Sequence, residues 1–312
     1  MPPQASSPRP PAVDHARPFG AHVRMSWWKP LVIIPVLLVL MLVLQIIVGT
    51  IVMLIEMAVT GVQPPVDGSA PLSPWMMLAA NLSIAVMAPV AMLLMRWIGK
   101  VPVREQFRIG RRASWGRLGL YTGVFLVLLL LVNGIMVAVD PSMLQSIGLS
   151  AGVILLIAIT LLTTPLQAAA EEVMFRGAIM PAIGSWIRPA KAAVVVALIG
   201  SSLVFGIMHA SIDPWLLSYY VLFGVCTGLM AIISRGLEAP IAFHVVNNVV
   251  MMVLSALGSD DGHIAIDRSV GMGGPFMLVY IGMDLVAVAL VWLFERRRRA
   301  AEVHEGVAQP TA

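Results

Sequence analysis

Three short blocks of polar residues stand inside stretches that are otherwise apolar, and their residue types could carry out acid–base chemistry. The blocks are EEVMFRG, FGIMH and HVVNN, and they contain Glu171, Glu172, Arg176, His209, His244 and Asn248. A charged side chain at the centre of a bilayer costs roughly 3 kcal/mol on insertion scales. Ionisable groups repeated on three apolar segments therefore indicate one buried catalytic or transport site.

The first block separates its two carboxylates. Glu172 and Arg176 are four residues apart with the acid first, which places both on one helix face and favours an ion pair. Glu171 points about 100° away from that pair. We therefore expect Glu172 to be held ionised by Arg176, while Glu171 faces a cavity. Two acids in different environments are what general acid–base catalysis requires.

The third block offers hydrogen-bond donors. His244 and Asn248 are also four residues apart and project from one helix face. Two adjacent donors suit a developing oxyanion. Counted from the nearest basic turns at about 1.5 Å per residue, Glu171 and His209 both rise roughly 25 Å, whereas His244 and Asn248 rise only about 13 to 20 Å. The heights counted for His244 and Asn248 are therefore smaller than those counted for Glu171 and His209.

The elements that position these blocks are membrane helices. Of the 312 residues, 59% are hydrophobic and only 12% are charged, which excludes a water-facing globular surface. A span needs about 20 apolar residues, and eight such runs fall near 31–57, 75–97, 117–139, 151–186, 192–210, 214–233, 240–257 and 274–294. We therefore predict an all-α polytopic membrane bundle with about eight transmembrane helices.

Basic residues alternate between the connections of these spans. Lys and Arg occupy every second connection, whereas the intervening connections carry acids and one basic residue, Arg268. Short cytoplasmic loops retain Lys and Arg, so both termini are expected in the cytoplasm. The net charge of +4 then reflects topology and contact with anionic lipid, with no reason to invoke nucleic acid.

The chain divides into one membrane domain and two tails. Residues 1–24 are rich in Pro, Ser and Ala and are expected to be a disordered cytoplasmic tail. Residues 25–299 form the transmembrane domain, with a motif core at 151–257, and 300–312 form a second short disordered tail. The single cysteine, Cys226, cannot form an intrachain disulfide and is interpreted as a packing residue.

The three blocks, in this order on consecutive segments, resemble the CAAX-protease and bacteriocin-processing family of intramembrane proteases. The family pattern is Glu-Glu-x-x-x-Arg, then Phe-x-x-x-His, then His-x-x-x-Asn or Asp, and every motif position is matched, with Phe205 preceding His209. The resemblance implies hydrolysis of a peptide bond within or at the membrane.

The resemblance also implies a role for each motif residue. Glu171 and His209 would activate the attacking water, and His244 with Asn248 would stabilise the oxyanion. Glu172 and Arg176 would support the site. Members of this family are commonly named metalloproteases, and Glu171, His209 and His244 could together bind Zn²⁺ with an open water position. The sequence lacks HExxH, and a water activated by glutamate without metal explains the same residues, so both alternatives stay open.

Other functions are compatible with intramembrane Glu, His and Arg. A proton-coupled secondary transporter uses such groups as relays, although no broken helices in two matching halves are found. A third alternative is a bacteriocin self-immunity or membrane scaffold protein without proteolysis. The leading hypothesis is an endopeptidase of a bacterial inner membrane. Its partners would be membrane lipids and a hydrophobic or lipid-modified peptide substrate.

Overall fold

The computed structural model describes residues 12–61, 71–141 and 147–307, and the regular secondary structure of these residues is helical. Eight helices within these ranges are long and apolar enough to cross a membrane, at Trp28–Thr60, Pro74–Gly99, Trp115–Val139, Ala151–Gly184, Ala190–Met208, Pro214–Ser234, Glu238–Leu257 and Met277–Glu302. The all-α fold and the eight predicted spans are confirmed. The protein is an integral, multi-pass membrane protein.

The described residues form eleven α-helices and two π-helical turns, and all of these elements except the short helix Val103–Phe107 contribute to the spans. The helices are α1 Trp28–Thr60, α2 Pro74–Ala85, α3 Met87–Leu94, α4 Val103–Phe107, α5 Trp115–Val139, α6 Ala151–Glu172, α7 Met180–Gly184, α8 Ala190–Met208, α9 Pro214–Ser234, α10 Glu238–Leu257 and α11 Met277–Val307. The π-helical turns are π1 Met95–Gly99 and π2 Val173–Ile179. Turn π2 continues α6 into α7 without a break.

Two helix starts follow local sequence rules. The Ser150 hydroxyl accepts a hydrogen bond from the Val153 N–H at 3.1 Å and caps α6. The Asp213 carboxylate accepts from the N–H groups of Trp215 and Leu216, each at 2.9 Å, and caps α9. Pro214 follows directly, at the first helical position, where its missing N–H is not needed.

Helix α10 lies at the centre of the bundle and packs against α5, α6 and α9. Helix α2 lies between α1 and α6, and α8 packs along α9. Glycines allow α8 and α9 to approach closely. A Cβ on Gly206 would lie 2.5 Å from the Val221 side chain, and one on Gly224 would lie 3.1 Å from the Ser202 Cα.

The tail prediction for residues 1–24 is wrong from residue 12 onwards. Phe19, His22 and Val23 are fully buried, and the Asp14 N–H donates to the His22 carbonyl at 2.7 Å. Arg17 also donates to the carbonyls at 187 and 188, each at 3.0 Å. The composition suggested disorder, but two apolar side chains in this segment reach the bundle core. Residues 1–11 lie outside the described residues.

The prediction for the other end also needs correction. Helix α11 continues to Val307, so the chain beyond residue 299 stays helical for at least eight further residues. Ala, Glu and Arg are favourable in helices, and no proline interrupts the segment before Pro310. Residues 308–312 lie outside the described residues.

Candidate active site

The three polar blocks line one cavity inside the bundle. Its volume is about 580 Å³, within the range of roughly 300–1,000 Å³ typical of ligand sites. Helix α6 contributes Glu171, the end of α8 contributes His209, and α10 contributes His244 and Asn248. The structure therefore brings together residues that are separated by up to 77 positions in the chain.

One part of the site, which we call the inner layer, consists of Glu172, Arg176 and the Nδ1 side of His244. Glu172 is fully buried, and its Oε1 lies 2.8 Å from His244 Nδ1 and 3.3 Å from Arg176 Nη1. The Arg176 Nη2 donates to the Gly224 carbonyl at 3.0 Å. The predicted pairing of Glu172 with Arg176 is present. It holds one carboxylate away from the cavity.

An aromatic surface completes the surroundings of Arg176. The guanidinium lies 4.6 Å from the centroid of the Phe205 ring and 5.8 Å from that of Phe175. Such cation–π contacts stabilise a cation more strongly where water is absent. Phe205 belongs to the second motif, and it therefore contacts both Arg176 and His209, whose ring lies 4.6 Å away.

The wide turn π2 follows the glutamate pair and carries Arg176. The Met180 N–H donates to the Phe175 carbonyl, five residues back. Pro181 has no N–H with which to continue the α-helical pattern, which favours a wider turn at this position. Single π-helical turns are frequent at functional sites. Gly177 in this turn lies against the segment below, because a Cβ there would be 3.1 Å from the Gln106 carbonyl.

The second part of the site, the cavity wall, comprises Glu171, Gln167, Asn248 and His209. Glu171 Oε1 accepts from the Gln167 amide at 2.7 Å, and its Oε2 lies 3.5 Å from His244 Nε2. His244 therefore bridges the two carboxylates through its two ring nitrogens. With Nδ1–H donated to Glu172, a further proton can reside on either His244 Nε2 or Glu171.

The Nε2 atom of His209 has no hydrogen-bond partner among the described residues. Its Nδ1 lies 2.8 Å from the Phe205 carbonyl, which can only accept, so Nδ1 carries the hydrogen. Nε2 is then an acceptor in the neutral ring. The ring stacks on Tyr220 with centroids 4.0 Å apart, which holds its plane. His209 follows the last residue of α8, where the helix ends and Ala210 takes a left-handed conformation.

The α9–α10 connection, from which the height of the third block was counted, packs against the end of α4 and the chain that follows it. Arg235 was taken as the membrane-surface reference for His244. In the structure the Arg235 carbonyl accepts from the Ile109 N–H at 3.1 Å, and the Leu237 N–H donates to the Phe107 carbonyl at 2.9 Å. The connection is thus held by backbone hydrogen bonds to another segment of the chain.

Two contributors were missed by the sequence analysis. Gln167 donates to Glu171 and accepts from the Asn248 amide at 3.3 Å, so it links the first and third motifs. Gln167 lies four residues before Glu171, and this spacing could have predicted a contact on one helix face. Arg268 donates to the His209 carbonyl at 2.6 Å and lines the cavity. It had been noted only as the one basic residue of the acidic connections.

Two other buried polar residues lie on α10 and α11, namely Asn247 and Asp284. Asn247 lines the cavity and donates to the Asn248 side-chain oxygen at 3.2 Å. Asp284 is fully buried, and its carboxylate has no hydrogen-bond partner among the described residues. Asp284 does not join the motif contacts.

The side-chain arrangement does not fit the predicted zinc set. Among the described residues, no three His, Cys, Asp or Glu side chains are grouped so that they could bind one metal ion. His244 directs both nitrogens at carboxylates, and His209 uses Nδ1 for a backbone carbonyl. Glu171, His209 and His244 share a cavity without forming a coordination shell. The metal-assisted and the metal-free alternatives both stay predictions.

Comparison with known proteins finds a family that matches part of the chain. Residues 151–250 match the family model described as "Type II CAAX prenyl endopeptidase Rce1-like". The resemblance read from the motifs is confirmed. The matched segment contains all three motifs, and it supports a CAAX-type intramembrane protease role in general terms.

One relative extends the similarity beyond that segment. It is the uncharacterized protein YyaK of Bacillus subtilis (strain 168), which is 25% identical over 225 residues. The alignment covers 69% of this chain and 74% of that protein. No solved structure matches the chain.

Proposed function

We propose that the protein is an intramembrane endopeptidase in which Glu171 and His209 activate water for attack on a peptide bond of a hydrophobic or membrane-anchored substrate. The observation that carries this proposal is the division of the glutamate pair. Glu172 is occupied by His244 and Arg176, whereas Glu171 faces the cavity that His209 also lines.

The first step forms a C–O bond. A water between Glu171 and His209 attacks the carbonyl carbon, and its proton passes to Glu171 or to the free Nε2 of His209. The carbonyl electrons move onto oxygen and create an oxyanion. The Asn248 amide can donate to that oxyanion once it leaves its long 3.3 Å contact with Gln167. A protonated His244 Nε2 is the second donor.

The second step breaks the C–N bond. The oxyanion collapses, the amine leaves, and the proton taken from water is returned to the amine nitrogen. The immediate products are a carboxylic acid and an amine, and the acid proton then passes to the amine or to water, so atoms and charge balance. Glu172 and Arg176 do not touch the reacting atoms in this scheme, and they act by holding His244.

The aromatic residues at the inner end of the cavity favour an enzyme over a transporter. Phe175, Phe205 and Phe223 line the cavity where it approaches the inner layer, and each is at most 3% exposed. A transporter would have to part these rings to open its central site to the other side of the membrane in alternation. A cavity that ends on packed aromatic rings suits a site where substrate and product use the same opening.

Cleavage of hydrophobic peptides by the purified protein in proteoliposomes tests the proposal. Wild type should release new amino termini, and Glu171→Gln should not. Glu302→Gln, which removes an exposed carboxylate at the end of α11, is the matched control and should cleave normally. Ion flux driven by a pH gradient without cleavage would support the transporter alternative. Biological function that persists in a Glu171→Gln strain would support the immunity or scaffold alternative.

A further inference from the structure

The two ends of the bundle differ in charge and in openness. We define the basic end by the connections that carry Lys and Arg, namely residues 12–27, 95–114, 185–191 and 235–237. The acidic end comprises the opposite connections, residues 61–73, 140–150, 209–213 and 258–276, of which 62–70 and 142–146 lie outside the described residues. Arg268 is the single basic residue in the sequence of the acidic end.

The cavity reaches the acidic end. Its wall includes Leu72, Ile266 and Arg268, which all lie in acidic-end connections. Leu72 pairs with Ile264 through two backbone hydrogen bonds of 2.7 and 3.1 Å, so these two connections form one rim. Ile266 is 50% exposed. Among the described residues that line the cavity, none belongs to a basic-end connection.

The basic end is closed beneath the site. Gln106 is buried and its carbonyl lies against Gly177 of turn π2. Residues 12–27 cover α7, where Gly20 and Gly184 approach so closely that a Cβ on Gly184 would be 2.6 Å from the Gly20 carbonyl. The Trp186 indole donates to the Trp27 carbonyl at 2.8 Å. Two layers of chain therefore separate the inner layer from that face.

The charge pattern orients these two ends. Connections rich in Lys and Arg are retained on the cytoplasmic side. The closed basic end then faces the cytoplasm, and the acidic end, which the cavity reaches through Leu72, Ile266 and Arg268, faces the opposite side of the membrane. The orientation of the two ends is inferred from the charges in the sequence. The opening of the cavity is inferred from the residues that line it, so the two observations are independent.

Building on the proposed function, we propose that the cavity takes its substrate from the extracytoplasmic side, as an apolar segment of an exported peptide or of a membrane protein exposed at that face. The wall chemistry fits an apolar chain. Five methionines line the cavity, Met41, Met77, Met208, Met251 and Met252. Flexible thioether side chains adapt to apolar partners of varied shape. A cytosolic C-terminal tail would meet the closed end.

Single-cysteine labelling tests the orientation without any substrate. Cys226 is the only cysteine and is buried, so Cys226→Ala provides the background. Ile266→Cys places a thiol at the acidic rim, Met252→Cys places one in the cavity wall, and Lys191→Cys is the control at the basic end. Intact cells are treated with a charged thiol reagent that does not cross the membrane. Permeabilised cells treated with the same reagent give the total labelling of each variant.

The expected result is that Ile266→Cys and Met252→Cys react in intact cells, whereas Lys191→Cys reacts only after permeabilisation. Protection of Ile266→Cys or Met252→Cys in intact cells overturns the inference. Reaction of Lys191→Cys in intact cells overturns it as well. These outcomes do not depend on peptidase activity.

Activity then supplies a second and separable readout. For proteoliposomes sorted by orientation, peptide added outside should be cleaved only when the acidic end faces outwards. Cleavage only when the basic end faces outwards overturns the access route while leaving the peptidase proposal intact. Outward labelling of Ile266→Cys with no cleavage in either orientation overturns the proposed function and leaves the orientation standing.

Discussion

The inner layer and the cavity wall contain adjacent residues of one helix with opposite surroundings. Glu172 has no exposed surface and shares one oxygen between an imidazole and a guanidinium. Glu171, its neighbour, accepts a hydrogen bond from the neutral amide of Gln167 and lines the cavity. A rotation of about 100° along the helix separates a residue that holds the site from one that can meet a substrate.

The largest expected effect concerns the cavity wall. Glu171→Gln keeps the side-chain volume but cannot accept a proton, so kcat should fall by roughly 10²- to 10⁴-fold. The free energy of unfolding in detergent should change little, because the partner Gln167 can also bond to an amide. Steady-state cleavage rates and denaturant titration measure the two quantities. Full activity in this variant would place the general base elsewhere.

Substitutions in the inner layer should instead act mainly on the free energy of unfolding. Arg176→Ala leaves Glu172 buried without its cationic partner, which should lower the free energy of unfolding by about 3–5 kcal/mol. The double variant Glu172→Gln with Arg176→Met removes both charges and should recover part of that loss. Equilibrium unfolding in mixed detergent measures both. Equal destabilisation by the single and double variants would show that the ion pair is not the source.

His22 lies outside the site and is also buried, with a hydrogen-bond partner at each ring nitrogen. It is fully buried; its Nδ1 lies 3.2 Å from the Gly20 N–H and its Nε2 lies 2.9 Å from the Glu105 carbonyl. This arrangement suits the neutral ring. Burial lowers the pKa of His22 from 6.5 to about 4.

This lowered pKa predicts a stability loss in acid. Between pH 6.5 and pH 4 the unfolded chain binds the extra proton, so the free energy of unfolding falls as the pH falls. The contribution is complete above about pH 6.5, and about 2 kcal/mol of it should be lost by pH 5. His22→Gln should flatten this dependence when unfolding is measured at pH 7 and pH 5. An unchanged slope would contradict the assignment.

The smallest expected effect concerns the link between the motifs. Gln167→Met retains length but removes the bonds to Glu171 and Asn248. A neutral hydrogen bond is worth about 0.5–1.5 kcal/mol, so kcat/KM should fall about 2- to 10-fold with little change in stability. A loss as large as that of Glu171→Gln would mean that Gln167 contacts the reacting atoms directly.

Much of the fold could be predicted from the sequence. The eight predicted spans differ from the observed helices by only a few residues at most ends, because membrane thickness sets helix length and apolar runs report it directly. The glutamate–arginine pair followed from helix periodicity. The buried segment at 12–24 was missed, because composition does not reveal whether a few apolar residues such as Phe19 find a core.

The site was predicted less completely than the fold. Arg268 donates a hydrogen bond to the carbonyl of His209, which lies 59 residues away in the chain. No local sequence pattern predicts such a contact. The contact of His244 with both carboxylates did not follow from its counted height, and residues 107 and 109 bind the turn before α10. A count along one helix cannot include a segment that packs against its end.

The amino-acid sequence by itself determined that eight helices cross the membrane and that three of them carry motif groups in a particular order. Local physics suffices for this, since helix length and side-chain direction depend on near neighbours. Tertiary structure alone decided that His244 lies between the two carboxylates, that the cavity ends on three phenylalanine rings, and that it reaches the acidic rim. Those features are distances between helices, which depend on the packing of the whole bundle.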